Sequence, residues 1–262
     1  MCYDISFTVN IPEISDYFPE LIIDGQIQME FGPIDHAQGV GVFAKYPVIY
    51  VNRDDQKLHC RLMEWSIIEF FRKEKPELVR RNGMLNIRSE RILDDKSSYW
   101  YKIRNRRCLI PVTGIFEHRG IIGWKKKVPY WIRPKDQCVF FLPGLYSVAE
   151  IADKETGEMI SVWTFGLITR AANALMRNIH NDGENRHRMP LFLPLETSKE
   201  FVSENLTEER YKEILAYEMP ADDLEHRPVF TIRTSKLRPD NLTKTDLFQW
   251  ENLPELGVNN PL

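Results

Sequence analysis

Residues 159–169 read MISVWTFGLIT, and this stretch decides the fold. It alternates poorly and is nearly all apolar, so it fits a strand buried on both faces, and such a strand is central. Shorter runs rich in Val, Ile, Phe, Tyr and Trp recur around it at 20–30, 40–51, 107–113, 128–133 and 138–142, punctuated by Gly and Pro. Helical patterns are fewer. They are SSYWYKIRNRR at 97–107 with Ser97 or Ser98 as N-cap, TRAANALMRNI from Thr169, and an acidic pair within 197–218 in which Thr207 precedes EERYKEILAY. Residues 60–80 fit a strand or a helix, and Pro76 ends whichever forms. The sum is an α+β chain with a mainly antiparallel, barrel-like sheet core flanked by helices. No repeat or linker divides it, so residues 1–262 read as a single domain. Its core is 1–194, and 195–262, with fourteen acids from residue 193 onward against eight bases, is an acidic helical flank with a closing strand.

A chain of 262 residues, 43% hydrophobic and 28% charged, is long enough and apolar enough to bury a full core. No run approaches the roughly 18 apolar residues of a membrane span. The first thirty residues carry Asp4, Glu13, Asp16, Glu20 and Asp24 and no basic residue, the opposite of a secretory or mitochondrial leader, so a cytoplasmic protein is expected. Cys2, Cys60, Cys108 and Cys138 form no C-x-x-C pair and suggest neither a disulfide framework nor a zinc site. Cys108 and Cys138 sit in apolar runs and read as inert core thiols. The net charge of −3 conceals an asymmetry: from Arg80 to Lys135 there are fifteen Lys and Arg against four acids. That block is either a footprint for phosphates or a solvated face balanced by acidic neighbours.

Cysteine is the second residue, so removal of Met1 would leave an α-amine and a thiol on adjacent carbons. Such a pair traps an aldehyde: the amine gives a Schiff base, and the thiol closes on it to form a thiazolidine ring. At pH 7 an α-amine of pKa about 7.7–8.0 is largely protonated and a thiol of about 8.5 largely un-ionised. Neighbouring acids and bases must therefore move the protons.

Four islands follow in order: MCYD at 1–4, LNIRSER at 85–91, RRCLIPVTGIFEH at 106–118, and LITRAANALMRNIHNDGENRHRMPLFLP at 167–194. With weaker echoes in MEWSI near Trp65, KVPYWI near Pro129 and LPGLYSVA near Gly144, they resemble the SOS response-associated peptidase (SRAP) family. Members of that family carry an N-terminal Met-Cys, an N-x-R-S-E motif, an R-C-[LI]-[VI]-P-x-x-G-[FI]-[YF]-E motif and a late I-H…R-M-P motif. The resemblance covers most of residues 1–194. It implies a protein that recognises abasic sites in single-stranded DNA and couples itself to them through Cys2. Autopeptidase removal of Met1 and a lyase-like activity would accompany this; a monomer is the default expectation, and no metal or small-molecule cofactor is expected.

The resemblance also implies roles. Asn86 holds the amine by its side-chain carbonyl, Glu117 shuttles protons, and His180 protonates the sugar oxygen as the aldehyde forms. Arg88 grips a flanking phosphate; Asn86 and Arg88, at i and i+2, share one face of a strand, with Glu90 next to orient Arg88. Trp65 is the base-stacking candidate among Trp65, Trp100, Tyr101 and Trp124. The lysine run 125–127 beside Trp124, Lys125 and Lys126 first, and Arg188 of the R-M-P motif complete the DNA-binding set. Each has a plainer alternative: a strand-end glutamate paired with Arg119, a histidine capping a helix, a core tryptophan, lysines exposed for solubility.

Two departures stand out. Family members commonly continue Met-Cys-Gly-Arg, whereas here Tyr3 and Asp4 replace a small residue and a phosphate-binding arginine. The spacing between I-H and R-M-P is expanded by NDGENRH, which adds His187. Two other functions fit the residues: a thiol hydrolase with Cys2 as nucleophile, His180 as base and Asn86 or Glu117 orienting it, and a non-covalent single-strand-binding module using the basic block. A zinc site from His180, His187 and a carboxylate has no recognised ligand spacing.

Overall fold

The apolar stretch at 159–169 lies in one of two 13-residue strands that pair along most of their length. The computed structural model describes residues 2–153, 155–234 and 236–261. Their elements are β1 (Asp4–Phe7), β2 (Ile22–Ile23), α1 (Gly25–Glu30), β3 (Ile34–Gln38), β4 (Lys45–Val51), β5 (Leu58–Trp65), α2 (Leu78–Asn82), β6 (Asn86–Arg88), α3 (Tyr99–Lys102) and β7 (Arg107–Val112). Then come β8 (Gly114–Arg119), β9 (Val128–Pro134), β10 (Phe140–Ala152), β11 (Met159–Ala171), α4 (Ala174–Ile179), β12 (Arg188–Pro190), α5 (Leu195–Phe201), α6 (Glu208–Ala216) and β13 (Leu224–Pro228).

β11 pairs with β10, β10 with β7, β7 with β4 and β4 with β5, all antiparallel. β5 then returns to β11 in parallel, Thr164 opposite Glu64 and Phe165 opposite Trp65, and closes a five-stranded barrel. Closure leaves no open edge on the ring, as the nearly continuous apolar run of β11 requires. β11 outlasts β5, and its next residues pair with β6, Leu167 opposite Asn86 and Thr169 opposite Arg88. At the handover stands Gly166, where a Cβ would come within 3.2 Å of Ile87 and 3.3 Å of Ile67. The central strand thereby carries Asn86 to the end of the barrel.

A second, antiparallel sheet has the order β13-β9-β8-β1-β3. Gly114 opens β8 because the Trp131 indole lies where its side chain would be, and the indole N–H donates to Ser6 Oγ at 3.0 Å. Thr113 binds Ser6 through its backbone N–H, at 2.8 Å, and through its hydroxyl, at 3.2 Å. These contacts lock β1 beside β8 at the barrel and so fix where Cys2 emerges.

The architecture is α+β and mostly sheet, with a barrel-like core in one domain. Local expectations shift in places. Residues 20–30 hold only the short β2 before α1, and residues 60–80 resolve into β5 followed by a loop and the start of α2. The helix expected from Thr169 starts at Ala174, because β11 continues to Ala171 to pair with β12; Asn173 then caps α4 by accepting from the Met176 N–H at 2.9 Å. Sheet pairing overrides helix propensity there. Ser98 caps α3, which ends at Lys102. Cys108 is buried as expected, but Cys138 is exposed, since it precedes β10 rather than lying in it. Residues 229–261 have no long element of their own. The fully buried Arg119 ties them down, donating to the carbonyls of Pro254, Glu255 and Val258 at 2.7–2.8 Å. Among the described residues no helix is long and apolar enough to cross a membrane.

Candidate active site

Cys2, with no exposed surface, immediately precedes β1 and meets residues from three other parts of the chain. Asn86, on β6, donates its side-chain N–H to the Cys2 carbonyl at 2.9 Å. Glu117, near the end of β8, is 3% exposed and close enough for its charge to act on the thiol. His180 ends α4, with its Nε2 4.0 Å from Glu117 Oε2. That separation is too long for a hydrogen bond. The other ring nitrogen, Nδ1, lies 2.8 Å from the Arg188 carbonyl, which can only accept, so Nδ1 carries the proton and Nε2 faces the carboxylate.

Two atoms in this group stand apart. Asn86 Oδ1 and Glu117 Oε1 are buried acceptors without a hydrogen-bond partner, and every other unpartnered buried side-chain atom among the described residues is a guanidinium nitrogen. A buried acceptor left empty costs about 1–3 kcal/mol. Both orphans belong to residues that act on Cys2, where an incoming amine or hydroxyl would satisfy them. The Cys2 thiol is pushed well above its ordinary pKa, first by burial and then by the charges of Glu117 and Asp4. It is therefore a neutral thiol at pH 7 that needs a base to react.

In front of these groups a cleft of about 350 Å³ is lined by Tyr3, Asp4, Glu117, His118, Lys127, His180, Arg233 and the loop residues Asp182–Asn185. Burial lowers the His118 pKa, with Arg233 and Lys127 adding to it against Asp4 and Glu117. The NDGENRH insertion is a compact loop closed at its neck, the His187 N–H donating to the His180 carbonyl at 2.8 Å. It draws in a cation from each wall: Lys127 pairs with Asp182 at 2.9 Å, and Arg88 donates to Asn185 Oδ1 at 3.3 Å.

The structure thus brings Cys2, Asn86, Glu117 and His180 together, with the exposed Arg88 reaching the cleft rim. It does not bring all the other candidates. Trp65 is fully buried, donates its indole N–H to Leu85 O at 3.1 Å and stacks on Phe165; it is core and has no free face for a base. Arg188 is also buried, paired with Glu90 and donating to Thr169 O at 2.7 Å. It anchors β12 and the carbonyl that orients His180, and Glu90 serves Arg188 rather than Arg88. Lys125 and Lys126 are exposed in the β8–β9 turn, whereas Lys127 reaches the cleft. Much of the basic block is consumed internally, through Arg81–Glu64, Arg133–Glu225 and Arg107 with the carbonyls of Phe201 and Ser203. Met1, whose removal the chemistry needs, lies outside the described residues. Among the described residues no cluster of three or more His, Cys, Asp or Glu could hold a metal.

Reading the sequence missed His36, His118 and Arg233, while Lys127 belongs to the 125–127 lysine run it had marked. His118 sits beside Glu117 and was within reach of the motif; Arg233 lies 229 positions from the Asp4 it contacts and left no local signal.

Comparison with known proteins bears on this site. Residues 1–232 match the family described as SOS response associated peptidase (SRAP). The abasic site processing protein YoqW of Bacillus subtilis is 29% identical over 72% of this chain and 77% of its own length. YoaM of the same organism, also an abasic site processing protein, is 24% identical over 83% of this chain and 89% of its own. A crystal structure of a protein from Bacteroides thetaiotaomicron shares the fold with a TM-score of 0.73 at 24% identity, covering 94% of this chain and 97% of that one.

Proposed function

This chain belongs to the SOS response associated peptidase (SRAP) family over residues 1–232, and from that premise we propose that it processes abasic sites in DNA, capturing them in single strands as a thiazolidine on Cys2. The observation that carries this reading is the pair of orphaned acceptors, Asn86 Oδ1 and Glu117 Oε1, beside a buried N-terminal thiol.

An abasic deoxyribose is mostly a closed ring. Opening it takes the proton from the C1′ hydroxyl and delivers one to the ring oxygen. The Glu117 carboxylate accepts the first proton, and His180, fixed through Nδ1 on the Arg188 carbonyl, enters the step protonated on Nε2 as well and delivers the second from there. With Met1 gone, the Cys2 amine donates to Asn86 Oδ1 and adds to the aldehyde carbon, and loss of water leaves an imine. The thiol then adds to that carbon. Its proton passes by way of Glu117 to the imine nitrogen, giving the five-membered ring, so protein and DNA join with the net loss of one water. Glu117 is apt for this because its Oε1 holds no competing hydrogen bond, and because a thiol with a raised pKa surrenders its proton only to a nearby base.

Intact mass spectrometry before and after mixing with a single-stranded oligonucleotide bearing one abasic site tests the proposal, with undamaged DNA and Cys2→Ala as controls. A mass lacking Met1 and then a Cys2-dependent gain of DNA minus one water is expected. Acetylating the N-terminus should abolish the adduct. An activity that survived acetylation but not Cys2→Ala would replace this proposal with the thiol hydrolase.

A further inference from the structure

Asp4 is a carboxylate in an unusual place. It is 1% exposed, in a strand with neighbours on both sides, opposite Gln38 of β3 and Phe116 of β8. A charge so placed is tolerated only when paired. Its partners are His36, whose Nε2 is 2.8 Å from Oδ1, and Arg233, whose Nε and Nη2 reach Oδ1 and Oδ2 at 2.9 and 2.5 Å. Burial alone would raise the Asp4 pKa; the hydrogen bonds from His36 and Arg233 outweigh it and hold the carboxyl ionised below its ordinary value.

Arg233 is not buried with its partner. Its side chain is 37% exposed and lines the same cleft as Glu117 and His180. Asp4 occupies one edge of the guanidinium fork, while Nη1 donates to no group among the described residues. Lys127, the other strong cation lining the cleft, is paired with Asp182 of the 181–187 loop, and Arg88 at the rim donates one N–H to Asn185. Arg233 is thus a rigidly held guanidinium with a free edge at the cleft, the arrangement that suits a phosphate oxygen. It follows β13, one residue past the stretch matched to the family. An isolated bridge between Val229 and Leu247 and the three bonds of Arg119 hold its segment against the domain.

We propose that Arg233, braced by Asp4, is a DNA-positioning residue that grips a phosphodiester beside the lesion, so that the C-terminal segment forms part of the binding site. The inference rests on the function proposed above. Asp4 acts only through Arg233, as a positioning residue.

The test compares wild type with Arg233→Gln and Arg233→Lys in two assays. One measures binding to a single-stranded oligonucleotide carrying a tetrahydrofuran abasic analogue, which cannot react, across a range of salt. The other measures rates of adduct formation with abasic single-stranded DNA and with free 2-deoxyribose, which has the aldehyde and no phosphate. Arg233→Gln should weaken analogue binding about tenfold and flatten the slope of log K against log salt by about 0.7, the share of one phosphate contact. The ratio of DNA rate to deoxyribose rate should fall about as far, and Arg233→Lys should restore part of both. Equal losses on both reactive probes, or an unchanged salt slope, would overturn the inference by showing that Arg233 only stabilises Asp4. If wild type reacts with neither probe, the thiazolidine reading fails instead, and the salt slope still decides the role of Arg233. Should Arg233→Gln fail to fold with Asp4 left buried, the double variant Asp4→Asn/Arg233→Gln removes both charges and is read the same way.

Discussion

The barrel interior and the pocket around Cys2 lie close together and obey different rules. In the barrel, Trp65 is completely buried, its indole N–H is satisfied by Leu85 O and its ring is stacked on Phe165. At the pocket, Asn86 and Glu117 are almost as buried, yet each keeps one oxygen without a partner. Burial in the first place is self-sufficient; in the second it leaves two acceptors open. Every polar atom of Trp65 is answered inside the fold, whereas the Asn86 and Glu117 oxygens are acceptors left open beside Cys2.

The sharpest test of that difference is Glu117→Gln. It removes the base while keeping the shape, so adduct formation should slow by about 100- to 10,000-fold, and the thermal midpoint should hold or rise as a buried charge disappears. A fall in the midpoint without a loss of rate would put Glu117 with the barrel residues and break the comparison. Trp65→Ala should do the reverse. The lost packing should cost about 3–5 kcal/mol in a denaturant titration, while DNA binding by the folded fraction keeps its salt dependence. A flatter salt slope in Trp65→Ala would mean that the ring does meet DNA.

How much of this could be seen in the sequence follows the same division. MISVWTFGLIT announced a central strand, and β11 is that strand, though burial holds only from Val162 onward and Met159, Ile160 and Ser161 are exposed. The motifs carrying Cys2, Asn86, Glu117 and His180 pointed to residues that do converge. Trp65 and Arg188 were misread, because a motif marks a residue as important without saying whether its polar atoms end in the fold or in a cleft. Thr169 was misread as a helix start because its partner in β12 is distant, and pairing decides. Arg233 was invisible for a related reason: its role exists only through the contact with Asp4, 229 positions away.

Arg188→Met sharpens the correction at that position. The guanidinium binds Glu90 and Thr169 O, so its loss should cost about 1–3 kcal/mol. Adduct formation should slow as the carbonyl under His180 loses its anchor, with the salt slope of binding unaltered. A slope reduced by about 0.7 would instead restore Arg188 as a phosphate contact.

The smallest effect concerns His118, on the wall of the cleft. Burial, helped by Arg233 and Lys127 and opposed by Asp4 and Glu117, holds its pKa below the ordinary histidine value. The unfolded chain therefore takes up a proton near pH 6.5 that the folded chain takes up only at lower pH. Between those two values the unfolded state binds more protons, and stability must fall as the solution is acidified. Asp4 does not contribute in this window, because its lowered pKa confines its own loss to pH below the ordinary carboxylate range. Urea midpoints at pH 7.5 and 5.0 should accordingly drop less in His118→Gln than in wild type. Equal drops would mean that His118 titrates as it would in water, and that the cleft wall is as wet as the outer surface. In that case Glu117 beside it would not need a ligand to satisfy its open oxygen, and the contrast between pocket and barrel would rest on Asn86 alone.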